Sequence, residues 1–366
     1  MNDKLDKETA YSIIRNIFDK KVLIIVGTGA SMAVDPEFGM VALAEELRRK
    51  MPDAVSSDKK LESSWNKINE KIKDTGLEKA LDGINNEELR STIIKIAGNF
   101  VTRIDAEYKK KSLSADSYAF PMEKFLLKLF SSLSVINPCL NIITPNYDLL
   151  IEHICDKNKI PYCTGFTGGI TKYYEWNTAE KEMYYTKNIS GAKKKPKKVE
   201  RIKKHIKLHK VHGSLNWFWQ NQQIIEDNSL VYDREHTLKR AIIPPGDAKI
   251  PEAFMNYRDF FTRADKAIAS DDAYIFAGYG FNDIHIEKEI DKHLKINSKH
   301  GVIITKELSN KAKNLINMVD NLWAVFQDPD NSANTLIKNR KYNNHLIIEH
   351  SDLWMIDKLT DIILGG

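Results

Sequence analysis

Four short apolar, strand-like runs in this 366-residue chain each end in a polar or glycine-rich turn. The turns are Gly27-Thr28-Gly29-Ala30-Ser31, Thr144-Pro145-Asn146-Tyr147-Asp148, Val211-His212-Gly213-Ser214-Leu215-Asn216-Trp217 and Gly278-Tyr279-Gly280-Phe281-Asn282-Asp283. The run before the first turn, Lys21 to Val26, is apolar on both faces from Val22 onward, which is the pattern of a strand buried inside a parallel sheet. In an open parallel sheet, ligands gather at the carboxyl ends of the strands, where these turns would lie.

The intervals between the runs read as helices. Ile14, Ile17 and Phe18 share one face of Tyr11 to Phe18, Leu43 and Leu47 stand at i and i+4, and Phe125, Leu126, Leu129, Phe130 and Leu133 form a stripe leading to the strand Leu140 to Ile143. Strands follow at Ile206 to Val211, Ala273 to Ala277, Val302 to Thr305 and Leu346 to Glu349, with a helix presenting Ile286, Ile290 and Leu294 and a last one presenting Leu353, Ile356, Leu359 and Ile363. The expected fold class is α/β: a Rossmann-like open, mostly parallel sheet with helices on both faces, in one domain spanning residues 1–366. Two stretches interrupt it. Residues 51–118 are polar and lysine-rich, with helical stretches at Trp65 to Ile72 and Leu89 to Ile104, and are expected to be a helical insertion. Residues 164–204 include Lys193-Lys194-Lys195-Pro196-Lys197-Lys198, followed by Arg201, Lys203 and Lys204, and are expected to be a basic loop or hairpin.

Composition removes several classes. Three cysteines, Cys139, Cys155 and Cys163, without a Cys-x-x-Cys pair, build neither a disulfide framework nor a four-thiolate zinc site, so no metal is expected. No apolar run approaches the roughly 20 residues of a membrane span, and the polar start lacks the apolar segment of a secretory signal; the expected location is cytoplasmic, with no membrane partner. The formal charge of +5, from 55 basic and 50 acidic residues, leaves nucleic-acid binding an open question centred on the lysine run.

In the first turn, Gly27 and Gly29 would let the backbone approach a pyrophosphate at a helix start, with Ser31 adding a hydroxyl. Met32 stands where a dehydrogenase fingerprint has its third glycine, and a tight strand-to-helix turn without a ligand fits the same spacing. Thr144, Asn146 and Asp148 follow a buried strand; Asn146 could accept from a ribose hydroxyl while donating to a carboxamide or a water. Asp148 fits equally as the cap of a helix Leu149 to Ile154. His212 stands at a strand end before a glycine, with an ordinary pKa near 6.5 suited to taking a proton from water or a ribose hydroxyl. His209 reads as packing within its strand. In the last turn Gly278 and Gly280 would let adenosine ribose lie against the backbone, while Asn282 or Asp283 either bonds its hydroxyls or caps the helix beginning at Ile284.

Together these turns resemble the NAD pocket of Sir2-like proteins, and the Tyr-Asp and Leu-Asn-Trp variants are similar to Sir2-like NAD hydrolases of bacterial antiviral defence. The resemblance spans roughly residues 20 to 305. It implies that Asn146 and His212 are catalytic, and that Gly27, Thr28, Gly29, Ala30, Ser31, Asp148, Gly213, Ser214, Gly278, Gly280, Asn282 and Asp283 hold NAD, which is the substrate. The implied reaction is hydrolysis of the nicotinamide-ribose bond, depleting NAD in an abortive infection response. A homo-oligomer and a HerA-type ATPase partner are implied by kinship alone. The chain cannot supply the four cysteines of the Sir2 deacylase zinc module, which speaks against deacylation. The alternatives left open are an ADP-ribosyltransferase or deacylase using the same pocket, a catalytically inactive NAD sensor, and a nucleic-acid-binding or nuclease effector.

Overall fold

The computed structural model describes residues 4–114, 118–191, 194–233, 236–246 and 257–365. Lys193 of the basic run, residues 115–117 at the end of the expected helical insertion, and the termini 1–3 and 366 lie outside the described residues.

In chain order the strands are β1 (Val22–Val26), β2 (Cys139–Thr144), β3 (Tyr162–Cys163), β4 (Phe166–Gly168), β5 (Thr171–Tyr174), β6 (Tyr184–Gly191), β7 (Lys194–Ile202) and β8 (His205–Lys210). They continue as β9 (Gly213–Gln220), β10 (Gln223–Asp227), β11 (Arg240–Ile242), β12 (Ala273–Ala277), β13 (His300–Thr305), β14 (Leu322–Gln327), β15 (Thr335–Asn339) and β16 (Leu346–Ile348). Nine of them form one sheet in the order β16-β15-β14-β13-β12-β1-β2-β8-β3. Pairing is parallel from β14 to β3, and β15 and β16 add an antiparallel edge.

β1 shows why this sheet is covered on both sides. Its five residues are all buried. With a side-chain period of two, Val22, Ile24 and Val26 enter one core and Leu23 and Ile25 the other. The first core receives the helices Lys7–Phe18, Met40–Val55, Glu87–Ser114, Glu123–Ser132, Leu150–Lys157 and Ile356–Ile363; the second receives Arg258–Ser270, Ile284–Lys295 and Asn310–Met318. The fold is therefore α/β, a Rossmann-like open sheet with helices on both faces.

After β1 the chain makes only a five-residue helix, Thr28–Met32, and a single 3-10 turn, Pro36–Phe38, before the helix Met40–Val55 carrying Leu43 and Leu47. The helices Lys59–Thr75, Leu77–Ala80 and Glu87–Ser114 follow. Much of the 164–204 stretch is ordered differently from a loop: β4 and β5 join β9, β10 and β11 in a five-stranded antiparallel sheet, and only β6 and β7 form a separate two-stranded hairpin. The sequence concealed this second sheet. Asn221 and Gln222, both at positive φ, make the two-residue turn between β9 and β10 without the usual glycine signal, and β9 is buried along most of its length, so it lacks polar alternation. Phe166 and Trp217 of this sheet pack with Phe260 against the second core, with ring centroids 4.6 to 6.1 Å apart.

Candidate functional site

The chain leaves β1 for β2 on one side and later returns to β12 on the other, so the carboxyl end of β1 is where the strand order reverses. The two glycine turns meet there. Gly27 N–H donates to Ala277 O and Gly29 N–H to Gly278 O, at 3.0 and 2.9 Å. A Cβ on Gly27 would lie 2.5 Å from Gly278 O and from Tyr279 Cα; Gly278 has φ +56, and a Cβ there would lie 2.3 Å from Ala30 N. These glycines let two strand ends touch backbone to backbone. Ala30 N–H also donates inward, to Gly27 O. The amides of Gly27, Gly29 and Ala30, expected to face a pyrophosphate, are thus taken up within the chain.

Asn146 sits at the end of β2, beside this junction. Thr144 starts the arrangement: its hydroxyl donates to Val26 O and accepts from Asn146 N–H. The Asn146 side-chain amide donates to Gly27 O at 3.0 Å and to Ser31 Oγ at 2.9 Å, and Ser31 Oγ donates to Asp148 Oδ2 at 2.7 Å. Both amide hydrogens are therefore committed, which fixes the orientation of the carboxamide. Its Oδ1 takes only a long 3.5 Å contact from Thr28 Oγ1 and keeps capacity to accept. Of the two roles open to Asn146, acceptor is the one this geometry leaves. Ser31 and Asp148 touch the cleft, but Ser31 Oγ and Asp148 Oδ2 are spent on orienting Asn146, and Asp148 Oδ1 accepts from Leu150 N–H at 3.3 Å at the start of the helix Leu150–Lys157.

Behind Asp148, the fully buried Lys210 donates to Asp148 O and, at 2.8 Å, to Glu152 Oε1. Burial raises the Asp148 carboxyl above its ordinary value, against the opposing pull of the Lys210 charge and the Ser31 hydroxyl. Glu152 is raised in the same way, with Lys210 opposing.

His212 is the second of the two residues, Val211 and His212, between β8 and β9, where the chain crosses from the large sheet to the second one. Gly213 makes the crossing possible, with φ +85 and a Cβ position only 1.9 Å from Ala241 O. His212 Nε2 lies 2.6 Å from Asp283 Oδ2, with the carboxylate oxygen off the direction of a well-aligned ring hydrogen bond. Asp283 Oδ1 meanwhile accepts from His285 N–H and Ile286 N–H, capping the helix Ile284–Lys295. Burial works against the Asp283 charge, yet His212 and the cap amides hold its carboxyl below the ordinary value of 3.8. Asp283 is thus both cap and histidine partner.

These groups line one cleft of about 1020 Å³, the scale of a nucleotide-sized ligand site. Gly27, Thr28, Gly29, Ser31, Asn146, Asp148, His212, Gly278, Gly280, Asn282 and Asp283 all face it. Three expected residues do not: Ala30 borders a small neighbouring cavity, Gly213 serves the crossing, and Ser214 is buried in β9. The remaining wall was not foreseen. Phe38, Leu43, Phe100 and Val101 make an apolar side, Glu78 and Asp82 a polar corner, and Ile243 to Gly246 an edge. Only the last had a local signal, the Pro244-Pro245-Gly246 punctuation after an apolar strand. Among the described residues no group of three or more His, Cys, Asp or Glu side chains is placed to hold a metal, and no helix is long and apolar enough to cross a membrane.

The SIR2-like domain family matches residues 140–347. No curated protein matches the chain. A solved structure described as "Structural Basis for the Mechanism and Regulation of Sir2 Enzymes" is similar over 86% of this chain and 91% of that chain, at 10% identity and a TM-score of 0.40. The family match covers more than half of the chain, from β2 to β16, and takes in Asn146, His212 and the second glycine turn. The chain belongs to the SIR2-like domain family.

Proposed function

We propose that the protein is an NAD+ glycohydrolase that cleaves the nicotinamide-ribose bond. The observation that carries this reading is that Asn146, locked as an acceptor, and His212, backed by Asp283, face one cleft of dinucleotide size. Asn146 Oδ1 would accept from a ribose hydroxyl or from the attacking water. With Nε2 turned to Asp283, Nδ1 is the nitrogen of His212 left for proton transfer. The bond from ribose C1′ to the nicotinamide nitrogen breaks with its electron pair staying on that nitrogen. The water oxygen bonds C1′ through an oxocarbenium-like transition state, and one water proton passes to His212 and then to solvent. The products are nicotinamide, ADP-ribose and a proton. Because the Gly27, Gly29 and Ala30 amides are consumed internally, the phosphates would rest on Thr28 and on the open backbone at Gly280 beside Asn282.

The same proposal treats residues 1–366 as one domain, with 51–118 and 164–204 as insertions. Antiviral NAD depletion, a homo-oligomer and a HerA-type ATPase partner extend it by family resemblance. The test is nicotinamide release from NAD+ by the purified protein, alone and with a candidate partner. Asn146→Ala and His212→Ala should each lower release by about 100-fold or more. Release that survives both substitutions would overturn the assignment.

A further inference from the structure

Asp105 is a carboxylate in the middle of the core, fully buried on the helix Glu87–Ser114. Its neighbours on that helix, Val101, Ile104 and Tyr108, belong to the first core. An ionised carboxylate in such surroundings is costly unless every oxygen is satisfied. Here they are: Oδ1 accepts from Leu149 N–H at 2.8 Å, while Oδ2 accepts from Tyr232 O–H at 2.8 Å and stands 2.9 Å from His153 Nε2.

The Leu149 contact reaches the site. Leu149 closes the loop that carries Asn146 and is the N-cap of the helix Leu150–Lys157; its own side chain makes no cap bond, and Asp148 Oδ1 accepts from Leu150 N–H at 3.3 Å. The loop is held elsewhere by Thr144 at Asn146 N–H, by Leu215 N–H on Tyr147 O, and by Lys210 on Asp148 O. Asp105 supplies the anchor from the helical segment. One turn earlier on the same helix, Phe100 and Val101 form part of the cleft wall. The helix packs at Gly98 on Arg240, whose guanidinium donates to Leu215 O and Val231 O; a Cβ on Gly98 would come within 2.7 Å of Arg240 Cδ. One helix thus shapes the cleft wall and holds the loop presenting Asn146.

We propose that Asp105 is a positioning residue for Asn146, acting through the Leu149 amide, so that the helical segment sets the geometry of catalysis. This rests on the NAD-cleaving reading of the same cleft. A group that holds a reacting geometry without touching substrate should affect turnover more than substrate binding.

The test uses the full chain with Asp105→Leu, which has no acceptor for the Leu149 amide, Asp105→Asn, whose Oδ1 can still accept from it, and Tyr232→Phe, which removes one partner of Oδ2 and leaves the Leu149 bond. Asp105→Leu should lower kcat for nicotinamide release by about 10- to 100-fold with KM for NAD+ within about twofold. Asp105→Asn should keep kcat within about tenfold of the wild type and Tyr232→Phe within about twofold. Wild-type kcat in Asp105→Leu, or losses across the variants that merely follow their melting temperatures, would overturn the proposal. Hydrogen exchange resolved to the Leu149 amide gives a readout independent of activity: slow in the wild type and faster in Asp105→Leu. A fast Leu149 amide in the wild-type protein would overturn the clamp even if the variant fails to fold. Should the wild type release no nicotinamide, the hydrolase reading falls, and unchanged exchange in Asp105→Leu would then sink the clamp separately.

Discussion

Asp283 reaches His212 with one carboxylate oxygen and caps a helix with the other, so the histidine at one sheet end is held by the turn that follows β12. The partner of His212 is supplied by a distant segment already rigid from backbone contact with the first glycine turn. A base held this way enters the reaction with its ring already oriented.

Asp283→Asn keeps a competent N-cap but removes the charge facing His212. Nicotinamide release should fall by about 100-fold, and thermal unfolding at pH 7 should shift downward, because the ionised carboxylate is stabilising at that pH. The acid limb should change as well. A carboxyl held below its ordinary 3.8 contributes stability that is present above that value and lost as pH falls through the lower folded value. Denaturation followed between pH 5 and 2 should be less pH-sensitive in Asp283→Asn; an identical acid limb would remove the ion pair from the account.

His209 gives a second pH signature. Buried against Trp176, with ring centroids 5.0 Å apart, it is held neutral by burial, with its pKa pushed down to about 3. The unfolded chain takes up this proton below about pH 6.5 and the folded chain does not, so stability is lost as pH falls from there toward 3. The slope should approach about 1.4 kcal/mol per pH unit, and His209→Gln should remove that part of it. Urea titrations at several pH values measure this directly.

Lys210 is fully buried between Asp148 O and Glu152. Lys210→Met leaves the Glu152 carboxylate in the core without its counter-charge and should cost about 3–5 kcal/mol in chemical denaturation. Adding Glu152→Leu should recover a substantial part of that loss, because the unpaired charge is gone. A double variant as unstable as the single one would show that Lys210 acts through the Asp148 carbonyl instead.

Two glycines separate packing from backbone freedom. Gly27 has an ordinary φ, yet an added Cβ would meet the Gly278 backbone at 2.5 Å, so Gly27→Ala should destabilise by more than about 2 kcal/mol and disturb Asn146 through Gly27 O. Gly169, with nothing within 4 Å of its Cβ position, should tolerate alanine within about 0.5 kcal/mol. Paired melting curves test the contrast.

Local patterns were enough to read β1, β2, β8, β12 and β13 and the turns that follow them, because a doubly buried strand must be apolar throughout and a chain leaving it must turn with glycine, proline or asparagine. The strand β14, the antiparallel edge strand β15 and the second sheet were not read: the β9–β10 turn lacks its glycine, and polar alternation fades in strands buried on both sides. Candidate residues were legible by type and position, but their partners were not. That the first-turn amides are consumed by their own chain, that Ser31 faces Asp148, that Asp283 faces His212 and that Asp105 holds Leu149 all depend on segments meeting across the fold. The sequence alone determined that β1, β2, β8, β12 and β13 are buried strands and which turns leave them, because those follow from residues adjacent in the chain. Only the tertiary structure decided what each polar group in those turns is bonded to, because a hydrogen bond is set by which distant atoms the folded sheet brings within about 3 Å.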